Sequence, residues 1–329
     1  MTDNREIILK VSGLKKYFPV RSGYFNREKK FVKAIDGIDF AVRKGSTIGL
    51  VGESGCGKTT VGKCILGIFP VTEGEVLYNN RDITKLNDKQ IKALRRELQM
   101  VFQDPNASLD PRQTVESIIK EAIIGDGKPH YRKEIEERTL QLLSMTGLTP
   151  DLIDRYPHEM SGGQMQRLAV ARALACNPKL IVCDEPISAL DVSIQAQVIN
   201  LFEDLQEQLD LTYVFIAHDL SVVRHIADEI AVMYLGRIVE HIDSDSLYEK
   251  GVHPYTKTLL SAVPVINYQR ERSRQRIVLG GEIPSPINVP TGCAFHPRCP
   301  YATDRCRHEV PQLKRIDDGH TVACHQVNE

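Results

Sequence analysis

The sequence predicts an α/β fold with a parallel central sheet, and three short apolar segments carry that prediction. Ser46–Val51, Leu180–Cys183 and Tyr213–Ala217 have the near-continuous apolar character of strands buried on both faces. A glycine-rich loop follows the first segment, and charged or ionisable residues follow the other two directly. Because ligands of open α/β sheets bind outside the carboxyl ends of the strands, these flanking residues predict a site at that edge.

The glycine-rich loop matches the phosphate-binding pattern G-x-x-x-x-G-K-[ST] at every fixed position. Its glycines allow the backbone to wrap a polyphosphate with successive N–H groups pointing inward. Lys58 can reach the β- and γ-phosphates, and the Thr59 hydroxyl can ligate Mg²⁺. The following helix would aim its positive end at the phosphates. The predicted nucleotide contacts are Gly52, Ser54, Gly55, Cys56, Gly57, Lys58, Thr59 and Thr60.

A second glycine-containing motif occurs at Met160–Gln164. Ser161 and Gln164 form an S-x-x-Q capping box ahead of a helix, and Gly162 and Gly163 lie between them. This arrangement places two glycine amides, a hydroxyl and a helix N-terminus at one exposed point, which suits a γ-phosphate. In isolation an ordinary capped helix would be the simpler interpretation. After a phosphate loop, we predict that Ser161, Gly162, Gly163 and Gln164 contact nucleotide.

This second motif resembles the signature of ATP-binding-cassette (ABC) ATPases, usually written LSGGQ, with Met160 in place of the leucine. The other motifs of that family follow in its order. The resemblance implies that Asp184 holds Mg²⁺ through water and that Glu185 polarises the attacking water. It also implies that His218 is the switch histidine, which contacts the γ-phosphate. The activity implied is hydrolysis of Mg·ATP, with Glu185 and His218 as catalytic residues.

Three further assignments come from the same resemblance. Gln103 is similar to the Q-loop glutamine, which contacts Mg²⁺ and water and senses a membrane partner. Ser188–Asp191 resembles the D-loop at a dimer interface. Tyr17, preferred over Phe18, resembles the aromatic residue that stacks on adenine.

The implied fold is a phosphate-loop NTPase of the ABC ATPase type with a RecA-like core. An antiparallel β layer is expected from residues 6–51, which also supply the first central strand, and a helical subdomain from about 104–174. The pattern also predicts a helix over Asn87–Leu98 and a hairpin over Ile230–His241. We expect an ATP-binding domain at 1–250 and a small Cys-rich C-terminal extension at 251–329.

Composition and charge limit the classes of partner. The chain has 329 residues, is 42% hydrophobic and carries a formal net charge of −1, which offers no electrostatic footprint for nucleic acid. No apolar signal core and no run of about 18 apolar residues occurs. The chain is therefore expected in the cytosol, or docked at the cytosolic side of a protein that does span a membrane.

The extension contains four of the eight cysteines, Cys293, Cys299, Cys306 and Cys324. In a cytosolic protein, clustered cysteines favour metal binding over disulfides. Four thiolates suit either Zn²⁺ or a [4Fe–4S] cluster. Intervening stretches of 5, 6 and 17 residues differ from paired zinc knuckles, but the spacing alone does not decide between the two metals.

The extension also narrows the resemblance. Gly281–Pro286, Pro290–Pro300 and Ala323–His325 look like the C-terminal extension of oligopeptide and dipeptide importer ATPases. Tyr17–Val20 and Phe102–Pro111 look most like the F-type member of the two unlike ATPases in such importers. The resemblance implies a [4Fe–4S] cluster on the four cysteines. It further implies a D-type ATPase partner, two membrane permeases and an extracytoplasmic peptide-binding protein, with the chain at the cytoplasmic face of the membrane.

Other functions remain as alternatives. Importers of nickel or other solutes share much of the extension. A DNA-repair or chromosome-organising ATPase would carry a long insertion between the Q-loop and the signature, whereas only 58 positions separate Gln103 from Ser161. A ribosome-associated factor would normally carry two cassettes. The intact set of Lys58, Asp184, Glu185 and His218 argues against a role without ATP turnover.

Overall fold

The computed structural model describes residues 5–20, 30–125, 131–263 and 280–327. Its strands are β1 (Ile7–Pro19), β2 (Phe31–Arg43), β3 (Thr47–Val51), β4 (Glu73–Tyr78), β5 (Arg81–Asp82), β6 (Leu98–Val101), β7 (Leu180–Asp184), β8 (Thr212–Ala217), β9 (Glu229–Tyr234), β10 (Arg237–Asp243), β11 (Lys314–Asp317) and β12 (His320–Val322). Its α-helices are α1 (Lys58–Ile65), α2 (Asp88–Leu94), α3 (Pro105–Ser108), α4 (Val115–Ile124), α5 (Arg132–Met145), α6 (Gly162–Leu174), α7 (Val192–Leu209), α8 (Leu220–Ile226), α9 (Leu247–Lys250), α10 (Pro254–Ala262) and α11 (Asp304–His308).

The contacts divide the chain into two compact units, and the first is built mainly from Arg43–Thr47 and Lys85–Ile216. Its strands β6, β7 and β8 run parallel in the order β8-β7-β6. Every residue of β7 and β8 is buried, which explains why both strands are apolar apart from Asp184 at the end of β7 and Thr212 at the start of β8. Helix α6 packs against α3, α4 and α5, so the predicted helical segment is present.

The second unit is built from the described parts of Ile7–Val42, Ile48–Thr84 and Ala217–Glu329. It contains the expected antiparallel layer, in the order β2-β1-β4-β5, and the parallel pair β3 and β9. The predicted hairpin is β9–β10. Leu235 and Gly236 at its turn have φ values of 43° and 78°. Such a pair of left-handed residues matches the right-handed twist of the strands.

The helix predicted over Asn87–Leu98 is shorter than expected. Its capping box is present, since the Gln90 N–H donates to Asn87 Oδ1 at 3.0 Å and the Asn87 N–H donates to Gln90 Oε1 at 3.1 Å. However, α2 ends at Leu94, and Leu98 opens β6, where it pairs with Leu180 of β7. Pairing within the buried sheet overrides the helical pattern at this end.

The C-terminal extension is more firmly built than its sequence suggests. Strand β12 pairs antiparallel with β10, and β11 pairs with β12, so two tail strands extend the sheet of the second unit. Phe295 is 1% exposed and packs edge-on against Tyr234, with ring centroids 5.1 Å apart, and lies 5.5 Å from the Tyr255 ring. The tail therefore gains a core from aromatic residues elsewhere in the unit.

A buried carboxylate also fastens the extension. Glu240 on β10 is 0% exposed and accepts from the Val252 N–H at 2.8 Å and the His253 N–H at 3.2 Å. Its Oε1 atom also lies 2.8 Å from His320 Nε2 on β12. These contacts supply the hydrogen bonds that a buried carboxylate requires.

The burial of His253 makes the stability of the protein depend on pH. The Nδ1 atom of His253 accepts a hydrogen bond from the Tyr255 N–H at 3.1 Å, and burial lowers the pKa of this histidine to about 3, well below the usual value of about 6.5. The unfolded chain therefore binds a proton as pH falls below about 6.5, whereas the folded chain does not. Relative to pH 7, the free energy of unfolding should fall by about 2 kcal/mol at pH 5 from this residue alone.

Urea unfolding of the wild type and of His253→Asn at both pH values checks this expectation. Asparagine can accept the same cap bond but does not titrate. The variant should lose less stability on acidification. Equal losses in the two proteins would show that His253 does not carry the effect.

None of the helices within the described ranges combines the length and the apolar character that a bilayer crossing needs.

A candidate nucleotide-binding site

The phosphate loop has a backbone that requires glycine. Gly52, Gly55 and Gly57 have φ values of 154°, 80° and 111°. A Cβ atom at Gly57 would lie 2.1 Å from the Ala34 carbonyl oxygen, and one at Gly52 would lie 2.2 Å from the Met233 carbonyl oxygen. At Gly55 no heavy atom lies within 4 Å of the same position, so the loop is open on that side. The loop thus presents close-packed backbone beneath and free space above.

Lys58 places its charge inside this loop. The residue is 4% exposed, and its Nζ donates to the carbonyl oxygens of Gly52 at 2.7 Å and Glu53 at 3.2 Å. The Cys56 sulfur lies 3.9 Å from Nζ, and burial raises the pKa of its thiol, which favours the neutral form. Thr59 and Thr60 lie in the first turn of α1, whose N-terminal N–H groups favour anions.

The two acidic residues after β7 occupy different environments. Asp184 is 4% exposed, and Glu185 is half-buried. Glu185 has a left-handed backbone with φ 46°, and its N–H donates to the Ile216 carbonyl at 2.9 Å. Its Oε2 atom accepts from Gln103 Nε2 at 2.9 Å. The fold thus brings together the proposed base and the Q-loop residue, which are 82 positions apart in sequence.

The D-loop is attached to the same turn. The Ser188 hydroxyl donates to the Glu185 carbonyl at 3.1 Å. Gln195 on α7 donates through Nε2 to the carbonyls of Ile187 at 3.1 Å and Leu190 at 2.9 Å. The Glu185 carbonyl is therefore held by the Ser188 side chain, and the loop that follows it is held by Gln195 of α7.

The signature motif forms the N-terminus of α6. The Gln164 N–H donates to Ser161 Oγ at 3.3 Å, and the Ser161 N–H donates to Gln164 Oε1 at 2.9 Å, so the predicted capping box is present. Ser161 and Gly162 are exposed. A Cβ atom at Gly163 would lie 2.8 Å from Ile194 Cγ2 of α7, so this glycine allows close helix packing. The free N–H groups of α6 remain accessible to a phosphate from outside.

Tyr17 is held by Asp36, which is in turn held by Arg237, and neither residue was identified from the sequence. Its hydroxyl donates to the Asp36 carboxylate, and Arg237 donates to Asp36 Oδ2 through Nε at 3.1 Å and Nη2 at 2.7 Å. Phe18 packs edge-on against Phe69 instead, with centroids 5.3 Å apart. No sequence signal linked Asp36 to Arg237, since they are 201 positions apart.

His218 directly follows β8 and is exposed. Asp219 then caps α8, accepting from the Ser221 N–H at 2.8 Å. The cap ends the strand and starts the helix at this point, which fixes the place of the histidine.

The prediction of an iron–sulfur cluster is wrong. Within the described residues, no group of three or more Cys, His, Asp or Glu side chains is arranged to hold a metal ion. Burial raises the pKa of the Cys293 thiol to about 11 and also raises those of Cys299 and Cys324. The zinc alternative lacks support as well, because the described residues contain no such group of ligands. Strand pairing and the packing of Phe295 stabilise the extension.

Two family models match the chain. Residues 35–188 match the model described as ABC transporter. Residues 239–306 match the model described as oligopeptide/dipeptide transporter, C-terminal region.

Curated relatives match along nearly the whole length. The oligopeptide transport ATP-binding protein AppF of Bacillus subtilis is 52% identical over 98% of this chain and 98% of its own. The dipeptide transport ATP-binding protein DppF of Haemophilus influenzae is 49% identical, over 98% of this chain and 97% of its own. The oligopeptide transport ATP-binding protein OppF of Escherichia coli is 45% identical over 100% of this chain and 98% of its own.

Solved structures confirm the fold. The dimeric post-hydrolysis state of the ATP-binding cassette MJ0796 bound to ADP and phosphate superposes with a TM-score of 0.64 at 29% identity, covering 72% of this chain and 98% of the cassette. The ADP conformation of MJ1267, a cassette of an ABC transporter, gives a TM-score of 0.64 at 27% identity, covering 78% and 100%. The chain therefore belongs to the ABC transporter family, among the ATP-binding proteins of oligopeptide and dipeptide transport.

Proposed function

We propose that this chain hydrolyses Mg·ATP to power the import of dipeptides or oligopeptides across the cytoplasmic membrane. The observation that carries the proposal is the coexistence of the glycine-dependent loop around Lys58 with the Gln103–Glu185 pair in a chain whose relatives are named as peptide transport proteins. The loop suits a polyphosphate, and the paired carboxylate suits the orientation of a water molecule.

The chemistry of the proposed contact residues suits a magnesium nucleotide. The open side of the loop at Gly55 leaves space for phosphate oxygens. The Lys58 ammonium lies within the same loop, where it contacts the Gly52 carbonyl. The Thr59 hydroxyl, the Asp184 carboxylate and the Gln103 amide are oxygen donors of the kind that Mg²⁺ prefers, and Mg²⁺ usually takes few protein ligands. When bound, the ion neutralises charge on the phosphates. Tyr17 supplies the stacking surface for adenine.

Glu185 acts as the general base in this proposal. Its Oε2 atom accepts a hydrogen bond from Gln103 Nε2, which restricts the orientation of the carboxylate. A carboxylate held in this way can accept a proton from an attacking water molecule, and the Ser188 and Gln195 contacts keep its backbone in place. His218 contacts the γ-phosphate and stabilises the charge that develops there.

The proposed working form is a head-to-tail dimer with a D-type ATPase. Ser161, Gly162, Gly163 and Gln164 of this chain would contact the ATP bound to the partner, because the N-terminus of α6 is exposed and free to accept a phosphate from another molecule. The partner's signature would close the site described here.

Two permeases and an extracytoplasmic peptide-binding protein complete the proposed assembly, and the chain lies peripherally on the cytoplasmic face. Residues 1–250 would form the ATP-binding domain and 251–329 the extension. We propose that Gln103 and the following segment contact a permease. Gln103 is bonded to Glu185, and Asn106 and Ala107 on α3 are exposed.

Reconstitution of the five-protein importer in vesicles tests this function. ATP hydrolysis should rise when peptide-loaded binding protein is supplied, with uptake of labelled peptide. Ala107→Arg should keep basal hydrolysis but lose the stimulation, because a long charged side chain would block the docking surface. Lys89→Ala, at an exposed position on α2, serves as the control. Uptake of nickel without uptake of peptide would overturn the substrate assignment, and unchanged stimulation in Ala107→Arg would overturn the docking surface.

A further inference from the structure

Glu53, the first variable residue of the phosphate loop, is held by the C-terminal extension. Arg298 Nη1 donates to Glu53 Oε2 at 2.7 Å, and Nη2 donates to Oε1 at 3.0 Å. The two residues are 245 positions apart. Such a two-bonded pair between guanidinium and carboxylate is both strong and geometrically specific.

The pair is protected from water. The side chain of Arg298 is 7% exposed and that of Glu53 is 25% exposed. The guanidinium carbon lies 5.9 Å from the centroid of the Tyr234 ring. The hydrogen bonds to Glu53 raise the pKa of Arg298, which therefore stays charged at any physiological pH. Solvent weakens an ion pair in such surroundings less than it weakens a fully exposed pair.

A second residue of the extension holds the backbone of the same loop residue. The Glu53 N–H donates to the Tyr255 hydroxyl at 2.8 Å, and Tyr255 is 0% exposed. The Glu53 carbonyl in turn accepts from Lys58 Nζ at 3.2 Å and from the Cys56 N–H at 3.3 Å. The Glu53 N–H and the Gly52 carbonyl belong to one peptide group, so the Tyr255 contact orients the carbonyl that accepts from Lys58 Nζ at 2.7 Å.

Charge gives this arrangement a further role. Glu53 introduces a carboxylate into a loop that binds a highly negative polyphosphate. The guanidinium of Arg298 compensates that charge, and its two hydrogen bonds keep the Glu53 side chain from rotating towards the bound phosphates.

We propose that Arg298 and Tyr255 are positioning residues for the phosphate loop, through which the C-terminal extension sets the affinity of the site for ATP. This inference rests on the proposed nucleotide function of the loop. Because coupling between two sites is reciprocal, bound nucleotide should also stabilise the extension.

The test uses the full chain with Arg298→Met, Arg298→Lys and Glu53→Gln. The matched control is Arg305→Met, which removes an exposed arginine of the extension that pairs with Glu309 at 2.8 Å. Hydrogen exchange at residues 52–58 is measured without nucleotide, and the dissociation constant for Mg·ATP is measured by fluorescence titration.

In Arg298→Met, exchange in the loop and the dissociation constant should both rise by at least about fivefold, within the usual range of coupling between sites. Arg298→Lys should be intermediate, because an ammonium keeps the charge without the two-pronged geometry. The double variant Glu53→Gln with Arg298→Met should show less than the sum of the two single effects. Arg305→Met should match the wild type.

Unchanged loop exchange and ATP affinity in a folded Arg298→Met protein would overturn the inference, as would equal effects of Arg305→Met. The exchange measurement is made without ATP, so it tests the contact even if the wild type fails to bind nucleotide. Failure of the wild type to bind ATP would overturn the proposed function instead.

Discussion

Replacing Glu185 with glutamine is expected to lower ATP turnover by at least about 100-fold, the lower range for loss of a general base. Glutamine keeps the shape of the side chain but cannot accept the proton of the attacking water. It can still contact Gln103, so the local structure and the binding of ATP should persist. Steady-state release of phosphate and equilibrium binding of ATP, measured on the same preparation, separate turnover from affinity.

The same variant should also favour the ATP-bound dimer, because the nucleotide that holds the two signatures in place is no longer consumed. Size-exclusion chromatography with Mg·ATP and the partner ATPase reports this form. The matched control is the double variant that combines Glu185→Gln with Ser161→Arg. A bulky charged side chain at the exposed start of α6 should prevent formation of the closed dimer. Near wild-type turnover at the site that Glu185 serves would show that this residue is not the base.

Replacing Lys58 with methionine is expected to weaken binding of ATP by about 10- to 100-fold, the range for removing a charged hydrogen-bond donor. Methionine has a similar length but no charge, so the loop loses its contact with the phosphates and the bonds to Gly52 and Glu53. Titration with a fluorescent ATP analogue measures the change.

Lys92→Met serves as the control, because it removes the same charge from an exposed position on α2. The thermal midpoint of both variants should be compared with the wild type, so that a folding defect is not mistaken for lost affinity. Unaltered affinity in a folded Lys58→Met protein would remove this lysine from the phosphate site.

The parts of the fold that the sequence predicted are those with local causes. Gly52, Gly55 and Gly57 predict a turn whose backbone angles favour glycine. Asn87 and Gln90 predict the start of a helix. The buried strands were predictable because burial on both faces makes their sequences almost entirely apolar. Each of these signals lies within a few residues of the structure it specifies.

The missed features depend on residues that are distant in sequence. Asp36 with Arg237, Gln103 with Glu185, and Glu53 with Arg298 are pairs that only the folded chain brings together. The added strands β11 and β12 have no strong alternation of apolar and polar residues, and β11 is wholly exposed, so pairing with β12 and not burial defines it.

The cysteines of the extension show a limit of spacing arguments. Four thiols within a short segment suggested a shared ligand, but spacing does not specify whether the sulfur atoms converge. The extension has an aromatic core instead, because Phe295 packs against aromatic residues from β9 and α10.

At Glu185 the side chain that ATP turnover needs and the residue that would give the most stable backbone are different. A non-glycine residue with such a φ value costs on the order of 1 kcal/mol or more, and glycine or asparagine would hold the same turn with less strain. Selection for a stable fold alone would therefore replace this glutamate. A lineage that no longer needed hydrolysis would be expected to lose the carboxylate early and to become more stable as it did so, whereas an active lineage must tolerate the strain in every generation.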